Sequence, residues 1–350
     1  VPTYQTAIVR EILAERSGLQ RVRVEMSDGS DARAYALTRL VGTVDVDDEV
    51  ICNTTAVDRG LGTGGWHVVH WNLARRELRL PGPEHIMKLR YTSLQSDAGT
   101  SELAHPEAAD AALDGIPVVA CSVHSQVAMV ALGFAAAAPR RRLAYVMTDG
   151  AALPLALSDL VAELVERELL AATVTSGHAF GGDLEAVSLP SALGLARHVA
   201  DADAVVVGMG PGVVGTGTDF GTTAVEVASV MDVAERRGGR PVLCVRASEG
   251  DPRSRHRGVS HHVRSILELT HVVPLVAAHP PEVLGLAGVS PIELDHPPDA
   301  SVLLHRAGIR VTTMGRAHDE DPLFFAAATA AGALAGQLCS QRLPDDPGTR

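Results

Sequence analysis

Two hydrophobic rhythms divide this chain. Up to about residue 95, apolar positions recur in short alternating runs at 7–13, 21–26, 32–37, 49–53 and 66–71. In Arg21-Val22-Arg23-Val24-Glu25-Met26 every second side chain is apolar, the period of a strand with one face in a core. Ser27-Asp28-Gly29-Ser30 then supplies a turn at hairpin spacing. From Gly115 onward the rhythm changes. Apolar runs at 117–121, 143–147, 171–175, 204–207, 242–245, 272–276 and 309–313 have no polar alternation, as expected of strands covered on both faces. Helix-length segments at 125–137, 156–169, 191–199, 222–236 and 260–268 lie between most of them and supply the crossovers that parallel pairing requires. Residues 184–189 add a further candidate strand.

These patterns predict an α/β protein: a Rossmann-like three-layer domain with a mostly parallel sheet over 116–340, preceded by a small, mostly antiparallel, β-barrel-like domain over 1–95. Pro81-Gly82-Pro83 breaks the first region, residues 96–115 read as a linker with room for a short helix at 106–113, and 341–350 read as a polar tail.

Composition narrows the function classes. The formal charge is −12 and aromatic residues are 3% of the chain, so neither the basic face nor the stacking surface of a nucleic-acid binder is expected. Basic runs such as Arg140-Arg141-Arg142 read as solvated turns. Cys52, Cys121, Cys244 and Cys339 form no CxxC pair, which argues against a zinc ribbon or a disulfide scaffold and for buried thiols in a reducing cytoplasm. The opening residues lack a basic start and an apolar run, so no signal peptide is expected. The most apolar segment, Leu323–Leu338, is alanine-rich and short for a membrane span, and reads as a helix against the core. Among 30 basic residues Lys88 is the single lysine, a candidate for chemistry that a guanidinium cannot do.

The candidate chemistry follows the topology. In an open parallel sheet the loops at the carboxyl ends of the strands share one rim, where ligands bind. Here those loops carry His124, Asp149, His178 with Asp183, the run Gly208–Gly221 with Asp219, and a basic stretch holding Asp251, Arg253, Arg255, His256, Arg257, His261 and His262. Asp149, His178, Asp183, Asp219 and His124 are the candidate bases or metal ligands, since imidazole with carboxylate suits zinc, iron or manganese. Gly208, Gly210, Gly212, Gly215 and Gly217 could bring backbone N–H groups to an anion, with Arg255, Arg257, His261, His262 and Lys88 contacting its charge. Gly210-x-Gly212-x-x-Gly215 has the dinucleotide spacing, but the next helix starts only after Gly221, and the acidic residue that should close the next strand about 20 positions on is Glu249, 34 beyond Gly215. A phosphate or carboxylate cradle, or a purely conformational role, fits better than NAD. Ser260 is placed to cap the helix begun by His261 and His262, whose side chains as neighbours should face different ways. No GxSxG elbow is present, so a covalent serine or cysteine mechanism has little support.

Several long strings, NTTAVDRGLGTGG at 53–65, PGPEHIMKLRYT at 81–92, YVMTDGAALPLALSDLV at 145–161, GHAFGGDLEAV at 177–187, VVGMGPGVVGTGT at 206–218 and DPRSRHRGVSHH at 251–262, resemble a largely actinobacterial family of uncharacterised proteins, domain of unknown function 3866. The resemblance spans roughly 4–320 and implies a bacterial cytoplasmic protein; it brings no activity with it. Glu84 departs from the family-like glycine before His85, and puts charge beside His85 and Lys88. The expectation is an enzyme, hydrolase or transferase in type, acting on a small anionic, phosphorylated or nucleotide-like molecule, with no cofactor assigned and with neither nucleic acid nor membrane as partner. The rival readings are a noncatalytic ligand sensor and a structural homodimer whose motif loops form the interface.

Overall fold

The structure, a computed structural model, describes residues 1–62, 64–80, 82 and 86–341; Thr63, Pro81, Pro83, Glu84, His85 and the tail beyond Gln341 lie outside the described residues. The chain divides into two compact units, Val1–Gly99 and Thr100–Arg350.

In the first unit β1 (Tyr4–Arg16), β2 (Leu19–Met26), β3 (Asp31–Ala36), β4 (Glu49–Asn53) and β5 (Trp66–Asn72) close into a barrel in the order β1-β2-β3-β5-β4. All pairs are antiparallel except β3 with β5. The alternation along the sequence is what closes it: Val9, Val22, Val24, Ala34, Val50, Cys52 and Val69 point inward and are buried, while the residues between them face out. The one-turn helices α1 (Thr38–Val41) and α2 (Thr55–Asp58) lie between strands, and a small ladder of β6 (Met87–Lys88) with β7 (Ser96–Asp97) follows the barrel. Lys88 belongs to this ladder and is buried.

The second unit begins with α3 (Pro106–Asp110) and continues as β8 (Pro117–Cys121), α4 (Ser125–Ala137), β9 (Leu143–Thr148), α5 (Asp159–Glu166), β10 (Ala172–Ser176), β11 (Leu184–Ala186), α6 (Leu189–His198), β12 (Ala204–Met209), α7 (Glu226–Arg236) and β13 (Arg240–Cys244). A short hairpin of β14 (Ala247–Ser248) with β15 (Gly258–Val259) precedes α8 (His261–Leu269), β16 (Leu275–Ala277), β17 (Ser290–Ile292), α9 (Ala300–Ala307) and α10 (Pro322–Ser340). Eight strands form one parallel sheet in the order β11-β10-β9-β12-β8-β13-β16-β17.

The continuous apolar strands are explained by two cores. Val119, Cys121, Tyr145 and Val206 pack with α4, α5, α9 and α10, whereas their neighbours Val118, Ala120, Val146 and Val207 pack with α3, α6, α7 and α8. Successive side chains of a strand point to opposite faces, so both sets must be apolar. This is a Rossmann-like α/β domain. The helix over 322–340 is long and apolar enough to cross a membrane, yet 78% of its apolar window is buried inside the protein, against α4 and the sheet.

Three local readings change. Residues 309–313 are not a strand of the sheet; Ile309 and Val311 are apolar because they pack into the core beside α4, and only Thr313 makes a bridge, to Arg316. The strand expected over 272–276 starts later, at Leu275, after Pro274. Within 96–115, Ala109 and Leu113 are buried in the second core, and α3 packs so closely on α6 that a Cβ at Gly194 would lie 2.5 Å from the Ala108 and Ala109 carbonyl oxygens.

Candidate crevice at the carboxyl ends of the strands

Chain order and sheet order together create a switch point. From β8 the chain runs through β9 and β10 to β11 at one edge, then returns to place β12 between β9 and β8. The loop after β8 leads to α4 on one face; the loop after β12 leads to α7 on the other. Loops leaving adjacent strands in opposite directions open a crevice at that rim.

The part of the crevice nearest β8 is filled. His124 Nδ1–H donates to the Met209 carbonyl at 3.0 Å, and Nε2 accepts from Ser158 Oγ at 2.7 Å. The same Ser158 oxygen accepts the Val161 N–H at 3.0 Å and caps α5. Burial pushes the His124 imidazole down to about 4, the Met209 carbonyl opposing. It is a neutral ring with both nitrogens bonded, and it pins the β12 terminus to α5 rather than presenting a base.

Between β9 and β12 lies a pair of carboxylates. Glu226, the first residue of α7, accepts from Thr148 Oγ1 at 2.6 Å. Gly150 leaves the space: a Cβ there would sit 2.5 Å from Glu226 Oε2. Burial, and after it the charge of Asp149, raises the Glu226 carboxyl to about 7, with the Thr148 hydroxyl pulling the other way. Asp149 itself is exposed and accepts the His178 backbone N–H at 3.0 Å across Gly177. Asp149, His178 and Glu226 therefore share this part of the rim.

The glycine-rich run crosses from this pair to the histidine-rich loop. Gly210 is buried for packing, since a Cβ would lie 2.4 Å from the Ala152 carbonyl oxygen, and Gly208 packs against Cys121. Beyond Pro211 the loop is exposed and folds on itself, with Thr216 N–H donating to the Gly221 carbonyl and Gly215 bridging Thr222. Gly212 points into open space, Gly215 lies beside His262, and Gly217, at φ +90°, lets Arg255 approach to 3.5 Å of where a Cβ would be. Asp219 Oδ1 is 3.7 Å from His261 Nδ1. Gly215, Gly217, Asp219, Arg255, His261 and His262 thus come together.

Behind them is a buried ionic frame that the sequence does not announce. Asp251, fully buried, takes two hydrogen bonds at 2.9 Å from Arg253 and one at 3.3 Å from Arg316, which hold its carboxyl below the usual carboxylate range. Asp321, equally buried, accepts from Ser248 Oγ, the Glu249 and Gly250 N–H groups and Arg316 Nε. Arg257 donates to the Asp251 carbonyl at 3.0 Å. Arg246 donates to His262 Nδ1 at 3.3 Å, and its guanidinium is pushed down to about 10 by burial and then by Arg253.

Two expectations are corrected here. Asp183 does not join the rim: it accepts from the Thr173 N–H and hydroxyl, each at 2.8 Å, at the amino end of β10, because β11 runs parallel to β10 with Leu184 opposite Val174. His261 and His262 do not diverge: their ring centroids are 4.3 Å apart, and His256 lies 5.0 Å from each. Ser260 caps α8 as expected, accepting the His262 N–H at 3.3 Å. Glu226, Arg246 and Asp321 were not singled out from the sequence, and His256 was placed in the rim loop without a role. Only Glu226 carried a signal, an acid at the first turn of the helix that follows the glycine run.

Fold and rim together define a Rossmann-like α/β protein, most of whose candidate residues gather at the carboxyl ends of its strands. The chain belongs to the family described as protein of unknown function (DUF3866), whose model matches residues 33–332. Comparison with curated proteins and with solved structures found no match.

Proposed function

We propose that the chain is an enzyme of hydrolase or transferase type acting on a small anionic substrate, phosphorylated or nucleotide-like, with Glu226 as its general acid or base. The observation that carries this reading is the carboxylate pair. Glu226 is raised to about 7 while Asp149 stands beside it, at the switch point where open sheets take their ligands. A carboxyl tuned to the working pH can both give and take a proton, which is the requirement for acid–base catalysis of group transfer. The amides of the exposed run 212–221 other than those of Val214, Thr216, Thr218 and Gly221, which bond locally, together with the Arg255 guanidinium supply positive ends for the substrate's charge. His124 contributes by holding Met209 and the start of this loop in place. The four cysteines are buried free thiols, and we assign the protein to a reducing cytoplasm on that ground.

Glu226→Gln keeps an acceptor for Thr148 and removes the proton. Turnover on a panel of nucleotide and sugar phosphate esters is expected to fall by about 10²–10⁴-fold, with ligand binding retained. Wild-type binding with no turnover on any of them would favour the sensor instead. The same variant has a stability signature. A carboxyl whose folded pKa lies above its unfolded value favours the fold while protonated, so the native state loses stability as pH rises from about 4.5 to about 7. At pH 8 the ionised Glu226 costs about 2 kcal/mol, discounted for its partial exposure. Glu226→Gln should therefore be more stable than wild type by that amount at pH 8 and equal to it at pH 4. Equal urea midpoints at both pH values would show that the carboxyl is not perturbed.

A further inference from the structure

We propose that His256, His261 and His262 form a three-imidazole site for a divalent transition-metal ion of the zinc type, with the exposed side of the site open to a water or an anionic ligand. Among the described residues these three are the group whose ligating atoms converge, one nitrogen from each lying within 4.8 Å of the other two. Three nitrogens around a tetrahedral ion at about 2.0–2.1 Å stand about 3.4 Å apart, so small side-chain rotations close the site.

The hydrogen bonding favours ligation over packing. His261 Nε2 is buried and has no hydrogen-bond partner, although a neutral imidazole nitrogen left so in a protein interior costs stability. Its other nitrogen, Nδ1, faces the Asp219 carboxylate at 3.7 Å. A carboxylate on the far nitrogen is how metal-bound histidines are usually oriented. His256 shows the same arrangement with a hydroxyl: Nδ1 pairs with Ser260 Oγ at 2.8 Å. Ser260 is fixed in turn by the His262 N–H, so the helix cap and the ligand set share one residue.

The charges around the site are compatible with a cation that carries an anion. Arg246 and Arg253 are the cations nearest His256 and His262, with Arg255 and Asp219 beside His261. Ligation by His262 gives up the Arg246 hydrogen bond to its Nδ1: either that lone pair turns to the ion, or Nδ1 takes the proton and Nε2 ligates. The repulsion that a metal would meet from Arg246 and Arg255 is reduced by Asp219 and Asp251, and reduced further when the open position takes an anionic oxygen. Imidazole donors suit zinc, copper, nickel and iron, and three protein ligands with an open fourth position is the arrangement of catalytic zinc sites. The site stands on its own geometry and does not require Glu226 to be catalytic.

The full chain, stripped with a chelator and dialysed, is titrated with Zn²⁺ alone by calorimetry and with Co²⁺ alone by visible absorption. One ion per chain is expected, with cobalt bands of the intensity of four- or five-coordinate Co²⁺. His261→Ala, at the most accessible of the three positions, should weaken Zn²⁺ at least about 100-fold, Asp219→Asn about 10-fold, and His198→Ala, on the exposed end of α6, not at all. Zn²⁺ should raise the melting temperature of wild type and of His198→Ala but not of His261→Ala. Absence of stoichiometric binding at micromolar free Zn²⁺, or binding that survives His261→Ala, overturns the site.

Discussion

Asp321→Ala should destabilise the protein by about 3–5 kcal/mol at pH 7, the cost of removing one partner from a buried ion pair. The side chain is fully buried and joins two segments far apart in sequence: it takes hydrogen bonds from Ser248, Glu249 and Gly250 on one side and from Arg316 on the other. Truncation leaves two backbone N–H groups and a guanidinium without their acceptor. Arg316 also reaches Asp251, which is clasped by Arg253, so the loss spreads into the loop that carries His256. Asp321→Asn keeps the oxygen that serves the Glu249 and Gly250 amides and gives up the ion pair, and should cost about half as much. Urea unfolding of the three proteins at one pH measures both steps. If Asp321→Ala comes within 1 kcal/mol of wild type, this frame does not hold the loop.

Gly332→Ala should cost about 3 kcal/mol, at the top of the range for overpacked cores. Ala is the better helix former by about 1 kcal/mol, so propensity alone predicts the opposite sign. Packing decides. A Cβ at Gly332 would lie 2.0 Å from the Val130 carbonyl oxygen, and one at Gly133 would lie 2.0 Å from the Thr329 carbonyl oxygen. Both obstacles are backbone in packed helices and cannot swing aside, so α4 and α10 must move apart. Gly285→Ala is the matched control, with nothing within 4 Å of its Cβ and no positive φ; it should stay within about 0.5 kcal/mol. Thermal unfolding of both variants separates the two outcomes, and a Gly332→Ala protein as stable as wild type would mean that the two helices do not cross this closely. The contact also explains why so apolar a helix lies in a protein core: its small residues are there to admit α4.

Local pattern carried most of the architecture. The valine alternation of 21–26 places β2 in the barrel, and the unbroken apolar runs at 117–121 and 204–207 place strands between two helical layers, because burial of one face or both is written directly into the order of side chains. The rim was legible for the same reason: in a parallel sheet the residues that follow each strand must gather at one edge, and Asp149 and His178 do. Side-chain partners were not legible. Asp183 reads like any other loop acid until the register of β11 sets it opposite Thr173, at the wrong end of the strand. His256 reads as one more polar residue until the turn before β15 brings it against His261 and His262. Residues 309–313 are as apolar as a strand because the core beside α4 asks for the same side chains. Most strands and helices, and the faces they bury, follow from neighbours a few residues away, with 309–313 the exception. Only the folded chain settles which polar groups meet, because hydrogen bonds and ion pairs act over about 3 Å, and at the rim they join residues as far apart as His124 and Met209, 85 positions.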